Sequence, residues 1–211
     1  MQGATSPFGI KELAAASGVS RETLDKLALY GELLERWNRS INLVGRDTLA
    51  DLWRRHFLDS AQLMSFMPSQ PDNRARRVID LGSGAGFPGL VLALMGAGEV
   101  HLVESDRRKC AFLREVARAT ETTVQVHPAR IEHLDGIKAD VVTARALAPL
   151  DRLLDYAERL LLPEGICLFL KGRSVDRELA SLDSSVSRRI DTFASRAAAD
   201  GVILRIGTHL P

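Results

Sequence analysis

A glycine-rich turn follows a short apolar stretch at residues 78–89, which read VIDLGSGAGFPG. Gly82 and Gly84 leave the backbone bare, so a ligand can approach it without meeting a Cβ atom. Turns of this kind between a strand and a helix bind nucleotide-like cofactors. Residues 84–89, GAGFPG, also satisfy the dinucleotide fingerprint, so the turn alone leaves a nicotinamide cofactor open.

Acidic side chains near the turn favour a different cofactor. Asp80 lies two residues before Gly82, where its carboxylate would repel a pyrophosphate but attract the sulfonium and ammonium of S-adenosylmethionine (SAM). Glu104 ends the next predicted strand, in the position that accepts hydrogen bonds from ribose hydroxyls. Ile131 and Glu132 open a short helix after the third strand, and we expect them beside the adenine. The combination favours SAM over a nicotinamide or flavin.

The segment after the fourth predicted strand, TARALAPL at 143–150, is where the methyl acceptor is expected. It lacks the Asn/Asp-Pro-Pro-aromatic loop that binds exocyclic amines, and Cys110 and Cys167 lie in packing segments rather than beside it. An acceptor that is already nucleophilic, such as guanine N7, needs alignment rather than a base. Arg145 is the charged residue of this segment; it could hold the SAM carboxylate, guanine O6 or a phosphate and so act by positioning.

Basic residues elsewhere are candidates for contact with RNA. Arg54 and Arg55 precede His56; we expect the two arginines at the pocket mouth and treat His56 as a further catalytic candidate. Lys171 follows the fifth strand at the same sheet edge and could meet an RNA phosphate. The formal net charge is only +1, so RNA binding must depend on a local basic surface.

Short apolar runs alternate with helical patterns after residue 77 and predict an α/β fold built on a parallel sheet. The predicted strands are Arg77–Leu81, Val100–Glu104, Thr123–His127, Asp140–Thr143 and Ile166–Leu170. The predicted helices are Pro88–Met95, Arg107–Thr120, Ile131–Leu134 and Leu150–Leu161. Two extended runs joined at Asp200 and Gly201 predict an antiparallel pair that closes the sheet.

The first seventy residues have helical spacing of their apolar side chains. Ser20 and Asp47 are predicted to cap two of the helices. A polar linker at 67–77 follows. We therefore expect residues 1–72 to form a helical extension that packs on a methyltransferase core at 73–211.

Composition excludes several classes of protein. The two cysteines have no CxxC spacing, so neither a disulfide framework nor a metal site is expected. The apolar runs are too short to span a bilayer, and the polar start does not read as a signal peptide. We expect a cytoplasmic monomer without metal or membrane contact.

Five motifs carry a resemblance to a known family. They are RWNRSINLVGRD (36–47), RRHFLDS (54–60), DLGSGAGFPGL (80–90), TARALAPL (143–150) and LFLKG (168–172). With them, the chain resembles the RsmG (GidB) family of bacterial 16S rRNA guanine-N7 methyltransferases. The resemblance implies a Rossmann-like SAM-dependent methyltransferase fold, with a seven-stranded, mostly parallel sheet, an antiparallel C-terminal strand and an N-terminal helical extension.

The resemblance also implies a reaction and a set of contacts. The methyl group of SAM would pass to N7 of guanine 527 in 16S rRNA, with free rRNA, the 30S subunit and an assembly intermediate all open as the substrate. By position, the cofactor contacts would involve Gly82, Phe87, Ile131, Glu132 and Arg145. Two alternatives remain open at this stage: a nicotinamide-dependent oxidoreductase and a non-catalytic RNA-binding protein.

Overall fold

The computed structural model describes residues 8–70, 73–182 and 189–207. The α-helices are α1 (Ile10–Ser17), α2 (Arg21–Asn38), α3 (Arg46–Leu49), α4 (Asp59–Ala61), α5 (Gly89–Leu94), α6 (Arg107–Ala119), α7 (Leu150–Glu158) and α8 (Val175–Ala180). A π-helical segment spans Trp53–Leu58, and 3-10 turns span Gln62–Phe66 and Ile131–His133. The strands are β1 (Arg77–Leu81), β2 (Glu99–Val103), β3 (Gln125–His127), β4 (Ala139–Arg145), β5 (Leu161–Lys171), β6 (Ile190–Ala194) and β7 (Val202–Gly207).

The seven strands form one sheet in the order β3-β2-β1-β4-β5-β7-β6. Strands β1 to β5 pair in parallel, whereas β7 runs antiparallel to both β5 and β6. This arrangement confirms the predicted mostly parallel sheet with an antiparallel C-terminal strand. The chain leaves β1 towards β3 and returns on the other side as β4, so the strand order reverses between β1 and β4. Open sheets bind ligands at the carboxyl ends of the strands at such a reversal.

Alternate side chains of the central strands supply two separate cores. On one face, Val78 and Leu102 belong to a cluster that also contains Tyr30, Phe57 and Phe112 from the helices. On the other face, side chains of β1, β4 and β5 pack against α7 and α8. The helices before residue 67 therefore share a hydrophobic core with the sheet.

Several predicted bounds need correction. Helix α7 ends at Glu158 rather than Leu161, because Leu161 pairs with Ala139 and already belongs to β5. Ser20 caps α2 as predicted, accepting a hydrogen bond from the Thr23 amide at 3.1 Å. Asp47 is not a cap: α3 begins after Gly45, whose carbonyl accepts from the amide of Thr48.

The last of the extended runs reaches Thr208 and His209, which lie outside the described residues. The part of it that is described forms β7, and the residues around Asp200 and Gly201 connect it to β6 as predicted. Strand β4 is longer than predicted, because it extends to Arg145 instead of stopping at Thr143. Arg145 is thereby held by the sheet itself.

Gly89, at the start of α5, should be required for stability. A Cβ atom there would lie 2.5 Å from both Asp80 Cβ and Leu102 Cδ2, so α5 could not pack as closely on β1 and β2. We expect Gly89→Ala to lower the free energy of unfolding in urea by about 1–3 kcal/mol. Gly172→Ala is the control, because a Cβ atom there meets nothing within 4 Å. Equal stability of the two variants would contradict this packing account.

Candidate functional site

Two cavities open beside the carboxyl ends of β1 and β4. The first, about 420 Å³, is lined by residues that follow β1, β2 and β3, and we call it the β2-side cavity. The second, about 600 Å³, is lined by the π-helical segment, the end of β5 and the connection between β6 and β7, and we call it the β5-side cavity. Gly82, Gly84, Arg145 and Ala146 line both of them. The two cavities therefore meet at the point where the strand order reverses.

The β2-side cavity brings together most of the residues that the sequence predicts to hold a cofactor. They are Gly82, Gly84, Glu104, Ile131, Glu132 and Arg145. Phe87, another predicted contact, instead lines the β5-side cavity. The glycine turn, the end of β2 and the turn after β3 thus converge on one space, as the sequence analysis expects.

The Glu104 carboxylate is fixed by two backbone amides. Its Oε2 accepts from the amide of Gly84 at 2.9 Å, and its Oε1 accepts from the amide of Asp106 at 2.8 Å. Glu104 is buried apart from its contact with the cavity. A carboxylate has about four lone-pair directions, so acceptor capacity remains on both oxygens. The side chain therefore joins the glycine turn to the start of α6 and can still accept from a ligand.

Tyr156 is a cavity residue that the sequence analysis missed. Its hydroxyl donates to Glu132 Oε1 at 2.7 Å, and this bond lowers the pKa of Glu132 below its usual value. Arg152 adds a cation over the Tyr156 ring at 5.6 Å. Tyr156 lies 24 residues from Glu132, on α7, and no local motif pairs the two. Together they form the outer wall of the β2-side cavity.

The interpretation of Asp80 needs correction. We expected its carboxylate to face the ligand, but Asp80 is fully buried and lines neither cavity. The alternation along β1 directs the side chain under α5, where Oδ1 accepts from the Thr143 hydroxyl at 2.7 Å. Burial raises the pKa of Asp80 to about 6, although the Thr143 hydrogen bond opposes the rise. Its negative charge lies behind the turn rather than in the cavity.

An aromatic wall borders the β5-side cavity. The Phe87 ring stacks on Tyr30 with centroids 5.3 Å apart and meets the edge of Phe57, also at 5.3 Å. The His56 ring lies 5.0 Å from the same Phe87 ring. The guanidinium of Arg145 stands over that ring, 5.0 Å from its centroid. The cavity thus presents flat π surfaces together with the Arg145 guanidinium.

The Arg145 guanidinium is held from the helical side. Its Nη1 donates to the carbonyl of Arg55 at 3.1 Å and lies 3.8 Å from Asp59 Oδ2. The opposite oxygen of Asp59 accepts from Gln62 Nε2 at 2.9 Å and from the Ser195 hydroxyl at 3.1 Å. Asp59 lies within the RRHFLDS motif but was not among the predicted site residues. Burial raises the pKa of Asp59, and the charge of Arg145 opposes that rise.

His56 is in an environment that favours the neutral imidazole. Burial lowers its pKa to about 3, and the charges of Arg145 and Arg55 add to the effect. Its Nε2 is 2.9 Å from the Thr48 hydroxyl, and His56 Nδ1 is buried without a hydrogen-bond partner. His56 lines the β5-side cavity. A group with so low a pKa is a weak base near neutral pH.

The three predicted RNA contacts lie in different settings. Arg54 is exposed, with its guanidinium 4.8 Å from the Phe8 ring. Arg55 lines the β5-side cavity, as expected for the pocket mouth. Lys171 also lines it, but its ammonium is 2.6 Å from Glu178 Oε2 and only 9% of the side chain is exposed. The structure therefore does not present Lys171 as a free cation for phosphate.

Neither a membrane span nor a metal cluster is found in what the structure describes. Across residues 8–70, 73–182 and 189–207, every helix is too short or too polar to cross a bilayer. The same ranges contain no group of three or more His, Cys, Asp or Glu side chains that could hold a metal ion.

Comparison with known proteins identifies the family. A family model described as rRNA small subunit methyltransferase G matches residues 23–201. A protein named ribosomal RNA small subunit methyltransferase G, from Paramagnetospirillum magneticum, is 62% identical over 199 residues, covering 94% of this chain and 95% of that protein. The chain belongs to the rRNA small subunit methyltransferase G family.

A second member of the family agrees with this assignment, and a more distant solved structure shares the fold. The family protein of Rhodospirillum centenum is 53% identical over 204 residues, covering 97% of this chain and 93% of its own length. A solved structure of a mutant of MtNAS in complex with S-adenosylmethionine has the same fold at 15% identity, with a TM-score of 0.58 over 94% of this chain and 83% of that one. All residues that line the two cavities fall within the 23–201 match to the methyltransferase G family.

The buried His56 should make the protein less stable in mild acid. The unfolded chain binds a proton at the ordinary histidine pKa of 6.5, whereas the folded chain does so only near a pKa of 3, so stability falls as pH falls below 6.5. At pH 5 the loss from this group is about 2 kcal/mol. Asp80, whose pKa is raised, shifts stability in the opposite direction.

A comparison of variants isolates the histidine contribution. Between pH 7.5 and 5, urea unfolding should show a smaller loss of stability for His56→Gln than for the natural protein, because glutamine binds no proton in this range. The contribution of Asp80 cancels, since Asp80 is present in both proteins. His133→Gln, at an exposed imidazole, should retain the natural dependence on pH. If the free energy of unfolding falls equally with pH in His56→Gln and in the natural protein, the imidazole is not kept neutral by burial.

Proposed function

We propose that this chain transfers a methyl group from SAM to N7 of a guanine in the 16S rRNA of the small ribosomal subunit. Membership of the methyltransferase G family supports rRNA as the substrate. The observation on which the proposal depends most is that Arg145 lines two adjoining cavities with different chemistry. One cavity suits the cofactor, and the other suits the base that receives the methyl group.

The residues of the β2-side cavity fit SAM. Glu104 retains acceptor capacity for ribose hydroxyls, and Ile131 offers an apolar contact for the adenine. Gly82 and Gly84 have φ angles of +61° and +56°, which glycine adopts without strain, and both line the cavity. SAM supplies an electrophilic methyl group on a positively charged sulfur when it is bound. Arg145 stands at the shared boundary, where it can meet the carboxylate of the methionine portion.

The β5-side cavity fits a purine that has left its stack. At about 600 Å³ it is the larger of the two, and Phe87 and His56 give it flat walls. Enzymes that modify a base take it into such a pocket and hold it by stacking and hydrogen bonds. An Arg145 guanidinium that donates to guanine O6 would leave the N7 lone pair unobstructed. Arg145 then orients the base without removing a proton.

Two titratable groups of the β5-side cavity, His56 and Asp59, support chemistry without a general base. The His56 imidazole has a depressed pKa, and the Asp59 carboxylate is engaged by Gln62, Ser195 and Arg145. Guanine N7 carries a lone pair that needs no activation, so the residues have to align the base and exclude water. An exocyclic amine would need a proton acceptor in the same place.

The two alternatives raised by the sequence are less well supported. A nicotinamide oxidoreductase would explain the letters GAGFPG, but the family of the chain is one of methyltransferases. A non-catalytic RNA-binding protein would have no need for two cavities that adjoin at a glycine turn. Calorimetric titration with S-adenosylhomocysteine and with NADH separates the first alternative from the proposal. If the proposal is correct, S-adenosylhomocysteine binds and NADH does not.

Transfer of labelled methyl from SAM tests the proposal directly. The substrates are undermethylated free 16S rRNA, the 30S subunit and an assembly intermediate, and the modified nucleotide is mapped by borohydride and aniline cleavage, which reports 7-methylguanine. We expect label on guanine 527 in at least one of the three substrates. Label on N1, N2 or O6, or no transfer to any of them, would overturn the proposal.

Glu104 should contribute to cofactor affinity. Glu104→Ala removes the acceptor for the ribose hydroxyls and should cost about 1–3 kcal/mol in the binding of S-adenosylhomocysteine. Calorimetry measures the change. Glu99→Ala is the matched control, because Glu99 is a carboxylate at the start of β2, whereas Glu104 follows the end of that strand. If Glu104→Ala binds as tightly as the control, Glu104 is not in the cofactor site.

Arg145→Ala should slow methyl transfer by about ten-fold or more, which corresponds to at least about 1.4 kcal/mol. The guanidinium aligns the acceptor but accepts no proton, so the single-turnover rate of the natural protein should be nearly constant between about pH 6 and 8. Single-turnover kinetics across this range checks both expectations. A steep rise in rate with pH that disappears in His56→Gln would show that His56 acts as a base.

A further inference from the structure

The loop at 146–149 connects β4 to α7 and passes the boundary of the two cavities. Ala146 has a φ of +49°, a left-handed conformation that costs a non-glycine residue about 1–3 kcal/mol. Leu147 is 37% exposed, and its side chain covers Gly82: a Cβ atom on Gly82 would lie 2.6 Å from Leu147 Cδ1. A strained loop that leaves a leucine against the glycine turn needs support from its surroundings.

Two charged side chains supply that support. Lys171 Nζ donates to the carbonyl of Ala148 at 3.1 Å, and Glu178 Oε2 accepts from the amide of Leu150 at 2.8 Å. The ammonium and the carboxylate are 2.6 Å apart. We call this pair the Lys171–Glu178 clamp. Because Lys171 ends β5 and Glu178 lies on α8, the clamp attaches the end of the loop to both of these elements.

Burial distinguishes the clamp from an ordinary surface ion pair. The side chains of Lys171 and Glu178 are 9% and 17% exposed. Burial would raise the pKa of Glu178, but the hydrogen bonds from Lys171 and Ser174 outweigh it and hold the pKa below its usual value. The Glu178 carboxylate is thus charged, and both side chains are largely shielded from solvent. Such a pair fixes geometry, because removal of one partner leaves the other charge buried and uncompensated.

We propose that Lys171 and Glu178 are positioning residues that hold the loop at 146–149 where the two cavities meet. The clamp keeps Ala146 in its left-handed conformation and Leu147 over Gly82, so that the cofactor and the acceptor are aligned across a fixed boundary. This inference depends on the proposed function, in which the methyl group passes between the two cavities. It assigns Lys171 to alignment rather than to contact with RNA phosphate.

Three variants test the clamp: Lys171→Met, Glu178→Gln and the double variant. Each should lower the single-turnover rate of methyl transfer by about ten- to hundred-fold, because a small displacement of aligned groups has effects of this size. The double variant should lose no more than the worse single variant, since both remove one interaction. The dissociation constant for RNA should not change. Lys26→Met and Glu22→Gln are the matched controls, because they remove an ion pair on α2 that is more exposed than the clamp and lines neither cavity.

The outcomes distinguish the clamp from contact of Lys171 with RNA and from a general loss of stability. If Lys171→Met weakens RNA binding while Glu178→Gln leaves both RNA binding and the transfer rate unchanged, Lys171 contacts RNA and the clamp is wrong. Equal loss of stability and rate in all three variants, with a corresponding fall in the folded fraction by circular dichroism, would also overturn it. Failure of the natural protein to methylate guanine N7 would instead refute the proposed function, a result that is independent of the variants.

Discussion

The contacts of the partly buried Arg145 guanidinium are the interactions on which the site depends. A guanidinium that is partly removed from water must find partners, and here they come from separate parts of the chain: the carbonyl of Arg55, the carboxylate of Asp59 and the ring of Phe87. Because Arg145 ends β4, these contacts join the helical segment and the glycine turn to the centre of the sheet. The position of the guanidinium is therefore set by several parts of the fold and not by β4 alone.

Asp59 extends this connection to the C-terminal strands. While one carboxylate oxygen faces Arg145, the other accepts from Gln62 and Ser195. Ser195 lies just after β6, and residues 197, 198, 200 and 201 line the β5-side cavity. The antiparallel end of the sheet therefore contributes a wall to the β5-side cavity, and its position is linked to that of the guanidinium. This explains how helices, sheet and C-terminal strands all contribute to one small site.

The sequence was informative where a site residue is fixed by its own strand or turn. Gly82, Glu104 and Ile131 each follow a strand, and parallel pairing brings the strand ends together. Partners far apart in the chain were missed, because no local pattern encodes them: Asp59 and Ser195 are 136 residues apart. Asp80 was misread, since the spacing locates a residue at the strand end but the alternation of faces, and the helix above it, decide where the side chain points.

A double-mutant cycle between Asp59 and Arg145 tests the central claim most directly. Asp59→Asn keeps an acceptor for Gln62 and Ser195 but removes the charge that faces the guanidinium. Single-turnover methyl transfer is measured for Asp59→Asn, Arg145→Ala and the double variant. If Asp59 acts by holding Arg145, its substitution should slow the reaction in the natural background and have little further effect once Arg145 is absent. Losses that multiply independently would contradict the account, because the two residues would then act separately.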